Sequence, residues 1–102
     1  MPLQIKRESG LDRPVVICDH CGLEITEAKD GNYEWEVGEE GEILNGTIYF
    51  THKRCCHAFE QTNRGCARWY AIGLECLPVY LANNLQMDWD RAKRTAWFMS
   101  TL

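Results

Sequence analysis

An α+β fold is predicted by three features of the 102-residue sequence. Cys18-Asp19-His20-Cys21 and His52-Lys53-Arg54-Cys55 are two pairs of metal-ligand side chains, each with two residues between its members. The spacer between them alternates as a strand does, with Tyr33, Trp35 and Val37 on one side and Glu34 and Glu36 on the other. The chain beyond Cys55 carries helical periodicity and helix-boundary residues. These features predict a single domain, residues 1–102, in which a small antiparallel sheet stapled by an ion is followed by two or three helices.

Residues 1–14 alternate weakly at Leu3 and Ile5 and then turn polar, which reads as an extended arm with edge-strand character. Val15-Val16-Ile17 is a β-branched run entering the first ligand pair, and Leu23 and Ile25 give a return strand one buried face. Asp30-Gly31 is a turn signal, and Gly38-Glu39-Glu40-Gly41 ends the strand that begins at Tyr33. Asn45-Gly46 lies between Glu42 to Leu44 and Thr47 to Thr51, a pattern that predicts a type I′ hairpin. Residues 15–61 form the metal-binding sheet and its helix in this reading.

A first helix is expected from about Lys53 to Gln61, stopping by Asn63 or Gly65. Residues 66–76 fit helix or strand, because Trp69, Tyr70, Ile72 and Leu74 are apolar but Gly73 interrupts them. Pro78 suits the first turn of a second helix with an apolar stripe of Leu77, Tyr80, Leu81 and Leu85, ending near Asn83-Asn84. Asp88 reads as the N-cap of a last helix with Trp89, Ala92, Ala96 and Met99 on one face. Residues 66–102 are thus expected to form a helical cap.

The ligand chemistry points to zinc. Zn2+ prefers a tetrahedron of thiolate sulfur and imidazole nitrogen, and four protein ligands close the set. Cys18 and Cys21 can meet one ion through a tight knuckle that Gly22 permits, while His52 and Cys55 lie one helical turn apart at a helix start. The expected metal ligands are therefore Cys18, Cys21, His52 and Cys55, holding one structural Zn2+. Iron occupies similar thiolate-rich sites. Of Cys55 and Cys56 only one can face the ion, since helical neighbours point about 100 degrees apart. His20 is expected to project away, and Cys66 and Cys76 to be packed or exposed thiols. A second zinc site from Cys56, His57, Cys66 and Cys76 is the alternative use of the remaining ligands.

Charge narrows the function. Residues 24–42 hold eight acidic residues and one Lys, so this stretch carries −7 of a net −4 and the rest of the chain sums to +3. An acidic hairpin is poorly suited to phosphate contacts. Lys53, Arg54, Arg64, Arg68, Arg91, Lys93 and Arg94 supply a basic complement in the helical half, read first as a solvated surface. No apolar run resembles a signal peptide or a membrane span, and the expected setting is a reducing cytoplasm. Nucleophilic catalysis finds only the neighbours Cys56 and His57, and side chains adjacent in sequence diverge in space. Glu39 and Glu40 fall in a turn where solvation accounts for them.

Cys18, Cys21, His52 and Cys55, with Gly46 ahead of Tyr49-Phe50-Thr51-His52 and a helix after it, resemble the treble-clef-like zinc fingers of the poly(ADP-ribose) polymerase type. The ligand order is also similar to the first half of a LIM domain, with a longer spacer. The likeness covers residues 15–61. The first resemblance implies a zinc-pinned sheet that recognises broken DNA ends, and the second implies a protein-binding module. The acidic hairpin departs from the first, and the second four-ligand set of a LIM domain is missing. The expected function is a non-enzymatic zinc-binding module that contacts a protein partner or its own copy, including through Trp97 and Phe98. A nucleic-acid-binding or regulatory protein using the basic helical half is the alternative. No small-molecule substrate is evident.

Overall fold

The computed structural model describes the backbone of residues 2–63 and 68–101, with side chains up to residue 97. Two three-stranded antiparallel sheets and three α-helices make it an α+β fold, as expected. The expectations placed on Arg64, Gly65, Cys66, Phe98 and Met99 fall outside the described backbone or side chains.

The first sheet is built from β1 (Leu3–Glu8), β2 (Leu11–Ile17) and β3 (Glu24–Ile25), in that order. The expected arm over residues 1–14 is a hairpin whose β1 is, as its edge-strand character implies, the edge of the sheet, closed where Glu8 pairs with Leu11. Ser9 and Gly10 both adopt positive φ, 50° and 78°, which gives a two-residue turn whose twist matches that of the flanking strands. Leu3, Ile5 and Leu11 remain exposed along this hairpin. In the return strand only Ile25 is buried, and Leu23 faces solvent.

The second sheet has β4 (Gly31–Val37) at its centre, flanked by β5 (Tyr49–His52) and β6 (Arg68–Gly73). β4 pairs along its length, Tyr33 with Phe50 on one side and with Ile72 on the other. Residues 68–73 are therefore a strand, so a strand precedes the expected helical cap. The Asn45-Gly46 hairpin does not form. Only Gly46 of the two has positive φ, and the Asn45 carboxamide accepts from the Thr47 N–H at 2.8 Å and donates to Glu36 at 2.9 Å. With that side chain engaged locally, the 42–44 segment meets β4 only at the Val37–Ile43 bridge, and β5 takes β4 as its partner.

α1 (Lys53–Asn63) follows β5 directly, within two residues of the expected end. It folds back over β4, on the side that carries Glu34. Tyr33, Trp35 and Val37 do face inward, where Tyr33 and Trp35 join a core of Cys18, Ile25, Phe50, Cys55 and Leu74. The opposite face is covered too. There Glu34 is 0% exposed, and Phe59 of α1 packs edge-on and tilted against Trp69 and Tyr49.

α2 (Leu77–Asn84) starts with Pro78 in its first turn, and α3 (Trp89–Thr101) is capped by Asp88, whose carboxylate accepts from the Arg91 N–H at 3.0 Å. The expected apolar stripe of α2 is not buried. Leu77 packs on the core, but Tyr80, Leu81 and Leu85 are exposed, and Ala82 is the one buried residue of the helix. The physical reason is that this short helix packs chiefly on the turn at Leu74–Cys76 that precedes it and not broadly on a sheet. Trp89 and Ala96 on α3 are likewise exposed. The radius of gyration, 15.7 Å, exceeds the roughly 13 Å of a compact chain this long, as a projecting hairpin and terminal helix require. No described helix is long and apolar enough to cross a membrane.

Candidate metal centre

Three segments converge where the two sheets meet. The turn after β2 carries Cys18 and Cys21, the end of β5 carries His52, and the first turn of α1 carries Cys55. Their four ligand atoms all lie within 4.8 Å of one another. A tetrahedron with sulfur at about 2.3 Å from zinc needs sulfur separations of about 3.8 Å, so a small contraction around an ion completes it. The expected ligand set is thus brought together, and its three sulfurs and one nitrogen fit Zn2+ by donor type.

The first pair forms a knuckle. The Gly22 N–H donates to the Cys18 carbonyl oxygen at 3.0 Å, and Gly22 sits at φ 76°, a conformation that costs a side-chain-bearing residue about 1–2 kcal/mol. The backbone N–H groups of His20, Cys21 and His52 each point at the Cys18 sulfur at 3.4 Å. Burial pushes the Cys18 thiol up, but those three donors together outweigh it and bring it down to about 6. Cys55 has no such donors. Burial first, and then the neighbouring Cys18 sulfur, pushes it up to about 11. The site favours the Cys18 thiolate, whereas Cys55 needs a cation beside it to stay ionised.

His52 is 5% exposed and fixed at both ring nitrogens. Its Nε2 lies 3.2 Å from the Glu24 carbonyl oxygen, and its Nδ1 lies 3.4 Å from the Cys21 sulfur. With the Nε2 proton given to Glu24, Nδ1 keeps the free lone pair, so a residue outside the ligand set decides which nitrogen binds.

Asp19 was not singled out by its sequence position, yet it joins the knuckle to β5. Its N–H donates to the Phe50 carbonyl oxygen at 2.7 Å and its carboxylate accepts from the Phe50 N–H at 2.8 Å. His20 is exposed and stands outside the cluster, and so does exposed His57. Cys56 belongs to a different group, with Glu34 and Glu60, while Cys76 is an exposed free thiol. The alternative zinc site from Cys56, His57, Cys66 and Cys76 is therefore not assembled among the described residues.

No protein-family model, curated protein or solved structure matches this chain. Its function has to be read from the site and surfaces alone.

Proposed function

We propose that this chain is a non-enzymatic module in which Cys18, Cys21, His52 and Cys55 hold one structural Zn2+, and that the stapled fold presents a surface to a protein partner. The convergence of the four ligand atoms carries the reading. A complete tetrahedron leaves no coordination position for substrate, and the ion acts by tying the knuckle, β5 and α1 together. Cys18 and Cys55 are themselves members of the hydrophobic core, so loss of the ion loosens the core directly. Free thiols at Cys18, Cys21, Cys55, Cys56 and Cys76 suit a reducing compartment such as the cytoplasm.

The partner surface is the helical end. Val79, Tyr80, Leu81 and Leu85 of and just after α2 are between 45% and 72% exposed, and a run of large apolar side chains left in solvent is a common mark of an interaction site. The competing nucleic-acid reading rests on Lys53, Arg54, Arg68, Arg91, Lys93 and Arg94, which are all exposed. It predicts binding to duplex DNA that falls steeply between two salt concentrations.

The test begins with metal content by native and denaturing mass spectrometry on protein purified without added metal. One zinc per chain, lost on chelation together with structure, supports the reading; intact structure without metal overturns it. Sedimentation and cross-linking in cell extract then compare wild type with Leu85→Asp. Association lost in the variant supports the helical surface, whereas association unchanged in the variant, or salt-sensitive DNA binding alone, overturns it.

A further inference from the structure

The adjacent cysteines of α1 point to opposite sides of β4 and β5. Cys55 faces the Cys3His cluster, and Cys56, about 100 degrees round the helix, faces the side that α1 covers. On that side Glu34, Cys56 and Glu60 place ligand atoms within 4.8 Å of one another. Cys56 and Glu60 are one helical turn apart, and the Cys56 thiol donates to Glu60 at 2.9 Å. Glu34 enters from β4 and is fully buried. Thr51 donates its hydroxyl hydrogen to Glu34 Oε2 at 2.5 Å, but Glu34 Oε1, also buried, has no hydrogen-bond partner among the described residues.

A buried carboxylate oxygen without a donor is costly, and native proteins rarely leave one so. Two carboxylates and a sulfur are all acceptors once ionised, and a proton on one of them satisfies one group. A cation satisfies all three together. The mixed oxygen and sulfur donors suit a borderline divalent ion, and the Thr51 hydroxyl fixes the Glu34 carboxylate as outer-shell partners of metal ligands do. Cys56 and Glu60 are only half-buried, which gives an ion a path from solvent and leaves a fourth position for water.

We propose that Glu34, Cys56 and Glu60 form a second site, separate from the Cys3His cluster, for a borderline divalent cation of the Zn2+ class. On coordination the Cys56 sulfur gives up to solvent the proton it now shares with Glu60. Residues of the two sites are neighbours in the chain, the outer-shell Thr51 beside His52 and Cys56 beside Cys55, so one strand end and one helix start serve both.

The test titrates metal-depleted full-length protein with Zn2+, and in parallel with Co2+, reading stoichiometry by native mass spectrometry. Wild type is expected to take two ions per chain, and Cys56→Ser and Glu60→Gln one each. Glu60→Gln is the safer variant because its side chain is half-buried at the helix surface. The second Co2+ is expected to add weaker sulfur charge-transfer absorption than the first, with one thiolate against three. Wild type saturating at one ion that Glu60→Gln retains overturns the second site and leaves the first standing. Two ions retained in both variants place the second ion elsewhere and overturn this assignment, and no ion in wild type overturns both sites.

Discussion

His52 is oriented by Glu24, whose carbonyl oxygen lies 3.2 Å from the imidazole Nε2 and leaves Nδ1 facing the Cys21 sulfur. The two residues sit on different sheets, so this contact also joins β3 to β5. In the zinc-loaded protein, long-range 1H–15N NMR is expected to find His52 protonated at Nε2 and metallated at Nδ1. The opposite tautomer would mean that the Glu24 carbonyl does not set the ligand atom.

Removing one ligand tests the staple. Metal binding contributes on the order of 10 kcal/mol in small zinc domains, comparable with the whole stability of a chain of this size. Cys18→Ser and His52→Ala are each expected to abolish stoichiometric zinc retention and the cooperative thermal transition of the core, read by near-ultraviolet circular dichroism. A cooperative transition surviving in metal-free Cys18→Ser would show that the core holds without the ion. Acid acts in the same direction. The thiols must be deprotonated to bind, so falling pH returns their protons and releases the metal, and zinc affinity is expected to rise with pH.

Asp19 gives a graded test of how the knuckle docks. Its carboxylate accepts the Phe50 N–H at 2.8 Å, and bonds to a charged acceptor are worth about 1.5–3 kcal/mol. Asp19→Ala is expected to lower the urea midpoint of zinc-loaded protein accordingly, and Asp19→Asn to recover about half, since its amide oxygen can still accept. Equal losses in the two variants would assign the effect to charge rather than to the bond.

Two glycines of the second sheet make a matched pair. A Cβ at Gly31 would lie 2.9 Å from Ile25 Cγ2 and 3.1 Å from Leu74 Cδ2, both in the core, whereas a Cβ at Gly73 meets nothing within 4 Å. Gly31→Ala is expected to destabilise by about 1–3 kcal/mol through overpacking, and Gly73→Ala by less than about 0.5 kcal/mol. Similar midpoints for the two in urea unfolding would mean that the Ile25 and Leu74 side chains move aside freely.

Features that depend on spacing and local backbone preference are legible in the residues alone. The two pairs with two residues between them named all four members of the Cys3His cluster, the run after His52 gave α1 to within two residues, and Asp88 marked the start of α3. Alternation from Tyr33 to Val37 also identified the face of β4 that meets the main core. Each of these is set within a turn or a strand, where geometry follows from neighbours in the chain.

What covers the other face is set by long-range packing. Alternation places Glu34 on the same side of the strand as Glu36, but α1 folds back over Glu34 and buries it against Thr51 and Cys56. Strand periodicity reports that two faces differ, and it carries no information about which distant element lands on either. The same holds for Asn45-Gly46, where a strong hairpin signal lost to the pairing of β5 with β4, and for the apolar residues of α2, whose burial required a partner that the short helix does not reach. The metal cluster was legible because its ligand types and spacing are rare, while Asp19, Glu24 and Glu34 are common residues made important by contacts from far along the chain.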